Sequence, residues 1–137
     1  MTSVNWRTKT IRWRPTTLNV SVVDPIMNVT AGTVIGPIFA RTTVAFDGTG
    51  TAAVVELGYG SNVDEFLDAG ELEEESISAA TSFVRALGAS DGTYDTKGTF
   101  LFTADDTIDV NFTADTSGDS TVGEVTFIIH YARVWPF

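Results

Sequence analysis

An all-β domain is the fold class that this sequence predicts: an antiparallel β-sandwich or jelly roll of about seven or eight short strands. Three observations carry the prediction. Threonine is abundant, with Val, Ile and Phe close behind, a mixture that suits pleated, half-buried surfaces. Apolar residues recur mostly with a period of two, the repeat of a strand with one buried face. Clusters of Gly and Asp interrupt the pattern at short intervals, as turns between strands do. The 137 residues are 43% hydrophobic, which is enough apolar material for one core. No internal repeat is strong enough to indicate a solenoid or a propeller.

The chain divides at Pro15. Residues 1–15 read as an extended basic and aromatic N-terminal arm, and residues 16–137 as a single sandwich domain. In the arm, "NWRTKTIRWRP" (5–15), extended alternation puts Arg7, Lys9, Ile11 and Trp13 on one face. Trp6, Thr8, Thr10, Arg12 and Arg14 fall on the other. Each face carries a tryptophan, which a purely electrostatic tail does not need.

In the body, "TLNVSVV" (17–23) alternates as a strand, and Asp24-Pro25 is expected to end it. Pro37 is expected to break the apolar run of 32–50 or to place it on a sheet edge. Residues 42–46 and 51–57, joined across "DGTG", form a candidate hairpin. Over 72–87 the spacing fits a short helix, with Leu72, Ala79, Ala80, Phe83, Val84 and Leu87 in one stripe. Glu71, Glu73, Glu74 and Glu75 then lie in its first turn, where the helix dipole favours acids. A rival reading makes 64–67 a turn and 81–87 a strand. Further strands are expected over 98–103, 107–113 and 122–135. The last is the strongest: Val125, Phe127, Ile129 and Tyr131 form its core face. Glu124, Thr126, Ile128, His130 and Ala132 form a mixed face, which suggests a second dry contact, between subunits.

Charge is unevenly placed. The formal net charge is −10, yet residues 1–14 hold Arg7, Lys9, Arg12 and Arg14 and no acid. The rest of the chain has four basic and eighteen acidic residues, a formal −14. Such a body repels polyphosphate, so no nucleic-acid partner is expected. No apolar run approaches the ~20 residues that span a bilayer, and no membrane partner is expected. No secretory signal is visible at the N-terminus, and there is no cysteine for disulfide or thiolate chemistry.

Signs of catalysis are missing. His130 is the sole histidine, and no Gly-x-Ser-x-Gly elbow accompanies it. With one His and no Cys, zinc is poorly supported. Asp105, Asp106, Asp109, Asp115 and Asp119 crowd two turns, and calcium suits such oxygen-rich loops. "DTSGDSTVGE" nevertheless departs from the EF-hand spacing. Solvated turn formers are the simpler reading, so no metal site and no cofactor is assigned. "GYGSN" and "DGTGT" match no phosphate-binding fingerprint and read as tight turns. Trp6 and Trp13 at one end and Trp135 and Phe137 at the other place large aromatics where chains usually fray. Something must bury them: a partner, or the chain's own domain. The acidic run holding Glu73, Glu74 and Glu75 is a candidate docking patch for the arm, within one subunit or between subunits.

Two stretches resemble a known group. "VAFDGTGTAAVVELGYGSNVDEFLDAGELEEE" combines "FDG", a valine-rich strand, "LGYG" and "DEFLDAG". "TADDTIDVNFTADTSGDSTVGEVTFIIHYARV" runs from a hairpin through a Gly-containing turn to the final strand. Together, over 42–134, they resemble the small β-sandwich virion proteins of tailed bacteriophages. The resemblance implies a non-enzymatic structural protein, most simply a capsid decoration (cement or head-surface) protein. Its partners would be the major capsid protein or another shell protein, with homo-oligomers, trimers above all, common. A neck or tail component, or a carbohydrate-binding receptor-recognition module using Tyr59, Tyr94 and Trp135, is the alternative. Assembly in the host cytoplasm and release by lysis would account for a virion protein without a signal. The expected interface residues are Trp6, Arg7, Lys9, Arg12, Trp13, Arg14, Glu73, Glu74, Glu75, Ile128, His130, Trp135 and Phe137.

Overall fold

The computed structural model describes residues 4–50, 53–69 and 83–134. In chain order the elements are β1 (Arg7–Trp13), β2 (Val22–Val29), β3 (Thr33–Val44), β4 (Val54–Tyr59) and β5 (Asn62–Leu67). Then come β6 (Val84–Arg85), the short helix α1 (Thr93–Lys97), β7 (Phe100–Leu101), β8 (Asp106–Thr113) and β9 (Glu124–Arg133). Two antiparallel sheets result. Sheet A runs β1-β9-β3-β6, with β7 also on β3, and sheet B runs β2-β8-β4-β5. The fold is an all-β sandwich.

The core lies between the sheets because each long strand turns its apolar period-two face inward. Val125, Phe127 and Ile129 of β9 and Ile108, Val110 and Phe112 of β8 are essentially inaccessible. Aromatic rings lock the two sheets together. Trp13 of β1 meets Phe112 edge-on at 5.4 Å, and Phe66 of β5 meets Phe100 of β7 at 5.4 Å. Such pairs add about 0.5–1.5 kcal/mol each beyond the area they bury.

Several expectations change. Residues 17–20 turn rather than extend, with the Val20 N–H donating to Thr17 O at 3.3 Å. The strand starts at Val22 and passes through Asp24-Pro25. Proline is accommodated there because β2 is an edge strand, and a register irregularity lies between Pro25 and Met27. The hairpin of 42–46 with 51–57 does not form. β3 belongs to sheet A and β4 to sheet B, so the connection crosses the sandwich, burying Phe46 and Ala53. The tight hairpin is β4–β5, closed at "GYGSN" with Gly60 at φ +43. Residues 62–67 are therefore strand, not the turn of the rival reading. Most of the helix expected over 72–87 lies outside the described residues. Its last part does not continue as helix, since Val84 and Arg85 pair with Ala40 and Phe39. Among the described residues the helix lies at Thr93–Lys97.

Pro37 neither ends β3 nor sits on an open edge. It occupies a bulge where the β3–β9 register slips between Ile35 and Ile38. On the opposite side of β3 the bulge falls between β7, which pairs Val34 and Ile35, and β6, which pairs Phe39 and Ala40. Side chains fill the missing rungs. The Tyr94 hydroxyl donates to Gly36 O and accepts the Ile38 N–H, each at 3.0 Å. His130 Nδ1–H donates to Pro37 O at 2.7 Å. A Cβ at Gly36 would sit 2.8 Å from Trp6 Cζ3, so glycine is needed for the Trp6 ring to lie on the bulge.

Candidate functional site

Register fixes what each sheet presents outward. On sheet A, opposite residues share a face: Thr8 with His130, Thr10 with Ile128 and Phe39, and Arg12 with Thr126 and Arg41. Phe39 also faces Arg85. Arg14 joins this face by bonding Glu124, and Trp6 joins it over Gly36. The outer face of sheet A thus carries Arg12, Arg14, Arg41 and Arg85 against a single described carboxylate, Glu124. It also exposes aromatic surface: Trp6 is 47% and Phe83 41% accessible, and the Arg41 guanidinium stacks 5.4 Å from the Phe83 ring.

Glu124 is the organising charge. Its side chain is only 2% accessible. It accepts from Arg14 Nε at 2.7 Å, from Arg12 at 3.2 Å and from Thr43 Oγ1 at 2.6 Å. The Thr43 hydroxyl and the Arg14 guanidinium hold its pKa down at about 2, against the opposing pull of burial. These bonds attach the end of β1 to β9 and spread the two arginines across the sheet. Pairing of the arm with acid inside the subunit is therefore real, with Glu124 as the acid; Glu73, Glu74 and Glu75 lie outside the described residues.

Sheet B presents the opposite sign. Asn111 lies beside Glu56 and Asp109 beside Gly58, all facing away from the core. Glu56, Asp64 and Asp68 bring carboxylate oxygens within 4.8 Å of one another. Burial and the two neighbouring carboxylates raise the Glu56 pKa, while the Asn111 amide at 3.0 Å opposes the rise. Among the described residues no Lys or Arg lies on this face. The sandwich is polarised, basic and aromatic on one side and acidic on the other.

The expected interface residues divide accordingly. Trp6, Arg12, Arg14, Ile128 and His130 are brought together on the outer face of sheet A. Trp13 is not on it: the residue is 4% accessible and its Nε1–H donates to Asp24 Oδ2 at 2.8 Å. Arg7 and Lys9 share the Trp13 side of β1, exposed at the sandwich edge, where Arg7 and Arg133 line an open groove with Tyr131. Trp135 and Phe137 lie outside the described residues. Sequence reasoning missed Arg41, Phe39, Phe83 and Arg85. Arg41 and Phe39 were readable as alternate residues of one strand, but the bulge at Pro37 hid the register that sets them beside β9.

Other chemistry finds little support in the geometry. His130 packs edge-on to Phe39 at 6.0 Å and has no carboxylate partner among the described residues. Tyr94 is 1% accessible and offers no open ring face for sugar stacking, and Tyr59 is partly buried, packed 4.8 Å from Phe100. Among the described residues no helix is long and apolar enough to cross a membrane.

No family model matches the chain, and no curated protein matches it. Two solved structures share its fold. A chain of the cyanophage Pam1 capsid asymmetric unit aligns over 96% of this chain and 85% of its own, with a TM-score of 0.64 at 12% identity. A chain of the acid-stable capsid of Helicobacter pylori bacteriophage KHP30 aligns over 93% and 86%, with a TM-score of 0.60 at 11% identity. At such identities the likeness is one of fold.

Proposed function

We propose that this chain is a non-enzymatic structural protein of a bacteriophage particle, docked on the outside of the shell through the outer face of sheet A. The observation that carries the reading is the polarised sandwich, on a fold shared with chains of two phage capsids. An acidic shell surface, formed by the major capsid protein or another shell protein, complements Arg12, Arg14, Arg41 and Arg85. Trp6, Phe39, Ile128 and Phe83 supply the apolar area that turns attraction into a stable contact. The acidic face of sheet B then points to solvent. Self-association, with a trimer as the expected form, multiplies weak contacts into firm attachment. Assembly in the host cytoplasm and release by lysis complete the reading.

Co-sedimentation of the purified chain with particles lacking it is the test. Arg41→Glu with Arg85→Glu should abolish association while the circular dichroism spectrum is kept. Undiminished decoration by that variant would refute docking through this face. Removing residues 1–14 is a poorer test, because it also takes Trp13 out of the core.

A further inference from the structure

Two loops meet at one end of the sandwich, 45–50 after β3 and 114–123 between β8 and β9. In the second, oxygen-bearing side chains stand at alternate positions: Asp115, Ser117 and Asp119. Gly118, at φ +72, lets the chain turn between the last two. Ser117 Oγ contacts both Asp115 Oδ1 and Asp119 Oδ1. A hydroxyl has one proton, so it satisfies one anionic oxygen and turns a lone pair toward the other. Thr49 closes the ring, its N–H donating to Asp119 Oδ1 at 3.1 Å and its Oγ1 to Oδ2 at 2.5 Å.

A second observation lies beneath this cluster. Asp115 is 6% accessible and its buried Oδ2 has no hydrogen-bond partner. Ser120 is 5% accessible and its Oγ has none either, although its backbone N–H is satisfied by Asn19 Oδ1 at 2.9 Å. Both groups border one spot beside Gly48, where a Cβ would lie 2.4 Å from Asp115 Cγ and 2.7 Å from Ser120 Oγ. Buried oxygens without partners are costly and rare. The charged side chain acting on Asp115 is Asp119, of its own sign, and no described Lys or Arg pairs with either.

We propose that this loop pair is a calcium site, with the Asp115 and Asp119 carboxylates and the Ser117 hydroxyl as side-chain ligands. The alternate-residue spacing matches the first three ligand places of a calcium loop, although Ser117 stands in the middle place and Ser120 where an EF-hand has its glycine. Calcium tolerates six to eight oxygens in irregular geometry, whereas magnesium demands a near-ideal octahedron. Zinc would want nitrogen or sulfur, which these loops lack. The ion neutralises two carboxylates at once in the loop leaving β8 of sheet B, and the Thr49 bonds to Asp119 tie that loop to the one leaving β3 in sheet A.

Calorimetric titration of the chelator-treated full chain with calcium chloride tests the site. The expected result is one ion per chain with a Kd below about 1 mM, and a weaker response to magnesium. Asp119→Asn, at an exposed position, should weaken binding by at least about tenfold while the circular dichroism spectrum is unchanged. Ser117→Ala should also weaken it, and Asp64→Asn, in the separate carboxylate cluster of sheet B, should leave it intact. Absence of calcium binding by the folded wild-type chain overturns the proposal. So does binding that survives Asp119→Asn but is lost in Asp64→Asn.

Discussion

The Glu65 carboxylate accepts the Tyr94 N–H at 2.7 Å, from a strand position that is 2% accessible. It does for α1 what the helix's own N-cap, Gly92, has no side chain to do. The other carboxylate oxygen takes the Asn62 amide at 2.7 Å, so this buried acid is held from two sides. Through α1, β5 of sheet B positions the tyrosine that completes β3 of sheet A. Glu65→Ala should lower the unfolding free energy in urea by about 1–3 kcal/mol, since it leaves a buried donor unpaired. A loss within error of zero would mean that water replaces the cap.

Tyr94→Phe isolates the next link. It keeps the ring against Phe66, 5.4 Å away, but removes the hydroxyl that serves both Gly36 O and Ile38 N. A loss of about 1–3 kcal/mol is expected. Hydrogen exchange should show the Ile38 amide among the most strongly deprotected in the variant; unchanged protection there would count against the hydroxyl as a surrogate rung.

Gly36→Ala tests the seat of Trp6. The added methyl meets the indole at 2.8 Å, so the ring must move off the bulge. Acrylamide quenching of tryptophan fluorescence should rise in Gly36→Ala, and the rise should vanish when Trp6→Phe is added. An equal rise in both backgrounds would place the change at another tryptophan.

Acid should loosen the attachment of β1. Glu124 titrates at about 2 in the folded chain against an ordinary 4.5. A depressed carboxylate contributes stability that is complete above the unfolded value and is lost as pH falls through the folded one. The difference in unfolding free energy between wild type and Glu124→Gln should therefore be constant above about pH 5 and shrink toward pH 2. Asp47, also held at about 2 by Thr121 and Val122, should keep part of the acid dependence in the variant. A gap that persists undiminished at pH 2 would exclude ionisation as its source.

The sandwich was legible because period two survives in the strands that matter. Val125, Phe127 and Ile129 announce β9 and its buried face without help from other strands, and Ile108, Val110 and Phe112 do the same for β8. Connectivity was less legible. Residues 42–46 and 51–57 look like a hairpin locally, but nothing local says that the chain changes sheets at Phe46. β5 was hidden because Glu65, Phe66 and Leu67 are buried consecutively, which abolishes the alternation that would have marked a strand. The chemistry of the basic face was half visible: Arg12 and Arg14 stand in an obvious cluster, while Arg41 and Arg85 join them only through register. Asp115 and Ser120 looked like ordinary turn residues, since the depth of a loop is set by what packs over it.

Opposite charge on the two broad faces gives the molecule a direction. In a field from an acidic surface it experiences a torque as well as a force, so it can rotate before it touches. At physiological salt the field decays over about 8 Å, less than the thickness of the sandwich. Reorientation is confined to the final approach, where it discriminates between the two sides rather than drawing molecules in from afar. Dilution of salt should therefore raise the fraction of collisions that arrive right way up.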